Sequence, residues 1–126
     1  MCKTLIVEDN TGFRDTLKNL LRSRFPHMVF EETAGGEEVL QKVNAFLPNF
    51  VFMDIKLPGE NGLKLTKKIK CVYPSAIVII LTAHDLPEYR QAAKEIGANH
   101  FFSKDSSSAE EIWAVMESSL SNLRLL

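Results

Sequence analysis

The sequence predicts an α/β domain of the doubly wound kind, a five-stranded parallel sheet with five helices on its two faces and right-handed crossovers between strands. Two observations carry this prediction. Short aliphatic runs alternate five times with segments whose apolar residues recur every three or four positions, and Gly or Pro punctuates most junctions. One of the runs, Phe50-Val51-Phe52-Met53, is apolar at each position, as in a strand covered on both faces.

Leu5-Ile6-Val7 makes the first strand, and Glu8-Asp9-Asn10-Thr11-Gly12 breaks it. Phe13, Leu17, Leu20 and Leu21 share one helical face, and Pro26 closes that segment. Met28-Val29-Phe30 is the second strand. After Gly35-Gly36, the residues Val39, Leu40, Val43 and Phe46 give a second helix that ends at Pro48. The third strand stops abruptly at Asp54, and Pro58-Gly59 with Asn61-Gly62 makes a loop. Leu65, Ile69 and Val72 mark a third helix bounded by Pro74.

Ala76 to Leu81 is the fourth and most β-branched strand. Thr82-Ala83-His84-Asp85 follows it, and Pro87 suits a helix's first turn. Tyr89, Ala92, Ala93 and Ile96 line the fourth helix, with Gly97 as its stop. His100 to Ser103 is the fifth strand and ends at Lys104. Ser107 and Glu110 have capping-box spacing, and Ile112, Val115, Met116, Ser119, Leu120 and Leu123 carry the last helix.

With 126 residues the chain has the size of one domain, taken as 1–126. Hydrophobic residues at 45% and charged residues at 25% exclude a disordered tail or a fibrous repeat. The net charge of -1 leaves no global basic field for nucleic acid or an anionic membrane. Cys2 and Cys71 fit neither a disulfide framework nor a zinc spacing. The longest unbroken apolar run, Ala76 to Leu81, is far below the ~20 residues a membrane helix needs. The N-terminus reads as a strand rather than a signal peptide, so a cytoplasmic protein with reduced thiols is expected.

In open parallel sheets the site lies beyond the carboxyl ends of the strands. Glu8 and Asp9 follow the first strand, Asp54 the third, Thr82 the fourth and Lys104 the fifth. Three carboxylates gathered at one edge repel and call for a cation. Hard oxygen ligands select Mg²⁺ or a similar divalent ion. A metal, a lysine and a hydroxyl around one carboxylate can cradle a phosphoryl group, with Asp54 as the nucleophile. Singly, each residue has a plainer explanation: a helix cap, a turn residue, a solvated lysine. Their coincidence at one sheet edge does not.

Over essentially its whole length the sequence resembles the receiver domains of two-component response regulators, which share the (βα)5 flavodoxin-like fold. Glu8-Asp9 is similar to the family's acid pair, Asp54 to its phosphoacceptor, Thr82 to its conformational hydroxyl and Lys104 to its active-site lysine. Met53-Asp54-Ile55-Lys56-Leu57-Pro58-Gly59 with Asn61-Gly62 resembles the family's loop after strand three. The resemblance implies that Asp9 and Asp54 bind Mg²⁺ directly, with the Lys56 backbone carbonyl as third ligand and Glu8 acting through water. It implies that Phe101 is the switch aromatic, and that a histidine kinase or phosphotransfer protein supplies the phosphoryl group. The switched surface would be the fourth helix, fifth strand and fifth helix, and a phosphorylation-dependent homodimer is among the expected partners. No direct nucleic-acid binding by this domain, no membrane association and no enzymatic activity are expected.

Two departures from the family's pattern shape further expectations. The first acid is Glu8, where aspartate is also common; it has a longer reach and the same charge. Asp105 stands where most receivers have proline, and Lys104-Asp105-Ser106 resembles receivers that precede a LuxR-like helix-turn-helix output domain. Transcription is therefore the candidate output. Without proline the cis form costs about 2.5–4 kcal/mol, so a trans Lys104–Asp105 bond and a loose Ser106–Ser108 connection are expected.

Other classes fit less well. A flavodoxin-like flavin binder needs a Ser/Thr/Gly-rich phosphate loop after strand one, where Glu8-Asp9 would repel a phosphate. An acyl-phosphate hydrolase typically has a second aspartate two residues after the first, where this chain has Lys56. Lys64, Lys67 and Lys68 read as a solvated helix face. His84 and Lys56 resemble the family's variable rim positions, and Trp113 flanks the last helix's stripe.

Overall fold

The computed structural model describes residues 2–122. Leu123 and the other end positions of the expected 1–126 domain lie outside the described residues. The elements are β1 (Lys3–Val7), α1 (Thr11–Arg24), β2 (Val29–Thr33), α2 (Val39–Phe46), β3 (Phe50–Met53), α3 (Gly62–Val72), β4 (Ile77–Thr82), α4 (Pro87–Glu95), β5 (His100–Ser103) and α5 (Ala109–Asn122). All strands are parallel, in the order β2-β1-β3-β4-β5. The chain winds outward in both directions from β1 and β3, so the topological switch lies between those strands.

Period-two alternation in the central strands divides the core in two. Val51 and Met53 face one layer with Val39, Val43, Leu65, Ile69 and Ala93, which come from α2, α3 and α4. Phe50 and Phe52 face the other with Leu17, Leu21, Ile112, Met116 and Leu120, from α1 and α5. Each such side chain contributes about 1.5–3 kcal/mol when fully buried, so β3 anchors both layers. Among the described residues no helix is long and apolar enough to cross a membrane.

Local chemistry terminates the helices. Asn10 accepts the Phe13 amide at 2.9 Å and caps α1, and Asn61 accepts the Leu63 amide at 2.7 Å and caps α3. Pro87 opens α4, and Gly97 follows it at φ 92°.

Four local expectations need correction. The second strand runs Val29–Thr33, with Met28 buried just before it. As an edge strand it tolerates Glu31 and Glu32, which pair outward with Lys42 and with Arg14 and Lys18. The fourth strand begins one residue late, at Ile77, and includes Thr82. Val72 belongs to no core: it is 55% exposed, because the buried stripe of α3 runs through Gly62, Leu65, Thr66 and Ile69. The capping box uses Ser108 and Glu111 rather than Ser107 and Glu110. The Glu111 amide donates to Ser108 Oγ at 3.2 Å, and the Ser108 amide to Glu111 Oε1 at 3.1 Å.

Candidate functional site

One row of residues crosses the sheet at Thr33, Val7, Met53, Ile80 and Phe101. Glu8 and Asp54 are the next residues on β1 and β3, on the switch between the two halves. The Asp54 amide donates to Val7 O at 3.1 Å and the Glu8 amide to Thr33 O at 3.0 Å, so both acids continue the ladder before the chain turns away. Asp54 Oδ1 accepts the Ile55 amide at 2.7 Å. Both carboxylates are buried, whereas Asp9 is exposed.

Lys104 joins them. Its Nζ lies 2.5 Å from Glu8 Oε1 and 3.2 Å from Asp54 Oδ2. Burial by itself would lower the lysine's pKa, but its hydrogen bond to Glu8 and the charges of Asp54 and Glu8 outweigh it and hold the ammonium above its ordinary value. Burial pushes the Glu8 carboxyl up. Lys104 and the Asn10 amide, which donates to Oε2 at 3.1 Å, oppose that rise, and Asp54 adds to it.

Carboxylate oxygens of Glu8, Asp9 and Asp54 all lie within 4.8 Å of one another. Three hard oxygen donors at that spacing fit a divalent cation of the Mg²⁺ or Ca²⁺ type. The Lys56 side chain is exposed, its ammonium 5.5 Å above the Tyr89 ring, which leaves the expected role to its backbone carbonyl.

Thr82 is buried on the neighbouring strand end, and its carbonyl accepts the Lys104 amide at 2.9 Å. Its hydroxyl accepts the His84 amide at 3.2 Å. Phe101 pairs with Ile80 and so shares Thr82's face of the sheet. It is half-buried against the α4-side core, with the Arg90 guanidinium 4.7 Å above its ring. Arg90 is held by Asp85 through contacts of 2.6 and 3.0 Å.

Among the described residues no peptide bond is cis, so Lys104–Asp105 is trans as expected. The serine segment is tighter than expected: the Ser107 amide donates to Ser103 O at 3.0 Å and the Asp105 amide to Ser103 Oγ at 3.3 Å. Trp113 is half-buried, its indole N–H donating to Leu20 O at 3.0 Å.

The family model of the response regulator receiver domain matches residues 4–116. The chain belongs to that family. Curated relatives include the transcriptional regulatory protein LnrK of Bacillus subtilis, 34% identical over 116 residues, which are 92% of this chain and 53% of LnrK. A second, from the same organism, is sporulation initiation phosphotransferase F, 34% identical over 102 residues and 81% of either chain. Among solved structures, a CheY-like receiver domain protein from Methanospirillum hungatei superposes with a TM-score of 0.87 at 25% identity, covering 97% of this chain and 95% of that one. A LuxR-family response regulator from Aurantimonas gives 0.86 at 27%, covering 97% and 86%. The receiver spans about half the length of several curated relatives it matches.

One expectation is overturned by these relatives. The receiver was expected to be no enzyme, yet a relative that it covers over four-fifths of its length is named a phosphotransferase. The physical reason is that a carboxylate set beside a lysine and further acids can assist the transfer of a phosphoryl group as well as accept one.

Three features of the receiver's site escaped sequence reasoning. Arg14 donates from Nη1 to the Glu8 carbonyl at 2.6 Å, and its position in the first turn after the acids was the available signal. Phe13 lies under Lys104, with the ring centre 4.3 Å from Nζ, and was assigned to the core alone. The Asp85–Arg90 pair over Phe101 is an exposed i, i+5 contact with no sequence signature.

Proposed function

We propose that Asp54 accepts a phosphoryl group from the phosphohistidine of a histidine kinase or phosphotransfer protein. The observation that carries this reading is the Lys104 ammonium bridging Glu8 and Asp54, with Asp9 close enough to complete an oxygen cluster. An Asp54 carboxylate oxygen bonds to phosphorus as the P–N bond of the donor breaks, and the imidazole leaves with the electron pair. Lys104 stays protonated and stabilises charge on the transferring oxygens. Asp9 and Asp54 would hold Mg²⁺ together with the Lys56 carbonyl, and Glu8 would act through water. Bound there, the ion would offset the negative charge of the phosphoryl oxygens.

Phosphorylation adds about -1.5 to -2 of charge at neutral pH. The Thr82 hydroxyl, which accepts the His84 amide, turns its own O–H to donate to a phosphoryl oxygen, and Phe101 moves further under α4. The α4–β5–α5 surface then controls the output, with a homodimer as one consequence. The name of the LnrK relative supports transcription as that output, and the phosphotransferase relative supports onward transfer from Asp54. The domain itself does not bind nucleic acid, and a cytoplasmic setting suits a kinase donor.

The test is intact-mass analysis after incubation with acetyl phosphate and Mg²⁺. One phosphoryl group per chain is expected, none with a chelator and none in Asp54→Asn. Uptake by the asparagine variant equal to wild type would refute the assignment.

A further inference from the structure

The receiver's Lys104 has three N–H donors on its ammonium. Two directions are taken by Glu8 and Asp54, at 2.5 and 3.2 Å, and the side chain is only 14% exposed. What remains beside it is an aromatic face: the Phe13 ring centre lies 4.3 Å from Nζ. That is well inside the range at which a ring quadrupole attracts a cation, and desolvation strengthens the attraction.

The ring and the acids are anchored at the same junction. Phe13 packs partly buried against the α1–α5 core layer. Its amide donates to Asn10 Oδ1 at 2.9 Å, and the Asn10 amide donates to Glu8 Oε2 at 3.1 Å. One asparagine therefore sets the first turn of α1 and the Glu8 carboxylate together. Glu8 and Asp54 are also two of the three groups whose oxygens fit a cation. Any cation bound there competes with Lys104 for them. A phenyl face does not compete, because it attracts an ammonium and offers no metal-ligating atom.

We propose that Phe13 is a positioning residue that seats the Lys104 ammonium beside Asp54 and retains it there when the carboxylates are shared with a metal. This rests on the reading of Lys104 as the charge that assists phosphoryl transfer to Asp54.

Two measurements test it. In the metal-free protein, with isotope-labelled lysine, the Lys104 ε-methylene protons should resonate upfield of the other lysines, displaced by the ring. Phe13→Leu should return them to the common position. Replacing Phe13 with trifluorinated phenylalanine keeps the shape and weakens the face. The rate of phosphorylation from acetyl phosphate should then fall about three- to tenfold, while Phe13→Trp retains it and thermal stability stays level. An unshifted Lys104 signal, or an undiminished rate with the fluorinated ring, overturns the proposal. If the wild-type chain takes up no phosphoryl group, the functional reading fails, and the metal-free spectrum alone decides the seat.

Discussion

On the β1–β3 side of the site, Asp54 and Glu8 are buried, their amides extend the sheet ladder, and α3 packs four residues into the core beside them. On the β4–β5 side, three of the four β5 residues are only half-buried, and α4 buries Ala93 alone. The Thr82 hydroxyl is held by one amide of an exposed turn, and Phe101 is covered by an arginine whose carboxylate partner is itself at the surface. The difference separates two demands. Chemistry needs groups fixed before the donor arrives. Signalling needs an element that a local change of about 1.4 kcal/mol can shift tenfold between two arrangements.

The sharpest way to break the rigid half is Gly62→Ala. A Cβ at Gly62 would lie 1.9 Å from the Asp54 carbonyl oxygen. Ordinarily Gly→Ala in a helix stabilises by a few tenths to 1 kcal/mol. Here overpacking should reverse the sign and cost about 3 kcal/mol in urea unfolding, with phosphorylation lost. A variant as stable and as active as wild type would mean that Asp54 is not so fixed.

Paired truncations sharpen the contrast between the two helices. Leu65→Ala in α3 should cost about 2–4 kcal/mol, because the side chain is 1% exposed and leaves a cavity. Leu86→Ala at the start of α4, 44% exposed, should cost less than about 1 kcal/mol. Equal costs would remove the asymmetry.

The less buried half is addressed by Thr82→Ala. Phosphorylation should persist, and the phosphorylation-dependent change in the Phe101 and α4 amide resonances should disappear. Loss of phosphorylation as complete as in Asp54→Asn would make Thr82 part of the chemistry instead.

The smallest effect concerns pH. Burial lowers the His100 pKa below its ordinary value of 6.5. The unfolded chain therefore takes up that proton at higher pH than the folded one, and stability falls as pH drops below the ordinary value. His100→Gln should flatten this slope in denaturant unfolding between about pH 7.5 and 5.5, in line with the linkage. An unchanged slope would assign the dependence to other groups.

β3 was legible because burial at each of its positions leaves no polar residue to blur it. β5 matches its expected bounds too, although three of its four residues are only half-buried. The edge was less legible: β2 carries Glu31 and Glu32 because only one of its sides is paired. Val72 continues a helical period past the point where the sheet stops offering a surface. Ser107–Glu110 and Ser108–Glu111 have the same spacing, and only the helix's orientation on the sheet chooses between them. Phe13 and Lys104 are 91 positions apart, and a hydrophobic period reports burial without reporting what sits on the ring's other face.

Gly62 has a mechanical consequence beyond its fit. The α3 backbone rests on the Asp54 carbonyl with room for a hydrogen and nothing larger, and the Gly62 amide donates to Ile55 O at 2.9 Å across the same junction. Two surfaces in hard contact and tied by a bond cannot slide independently. A tilt of α3 is therefore a displacement of Asp54, over a lever arm no longer than a single residue. The Lys64, Lys67 and Lys68 side chains stand exposed on the far side of that lever.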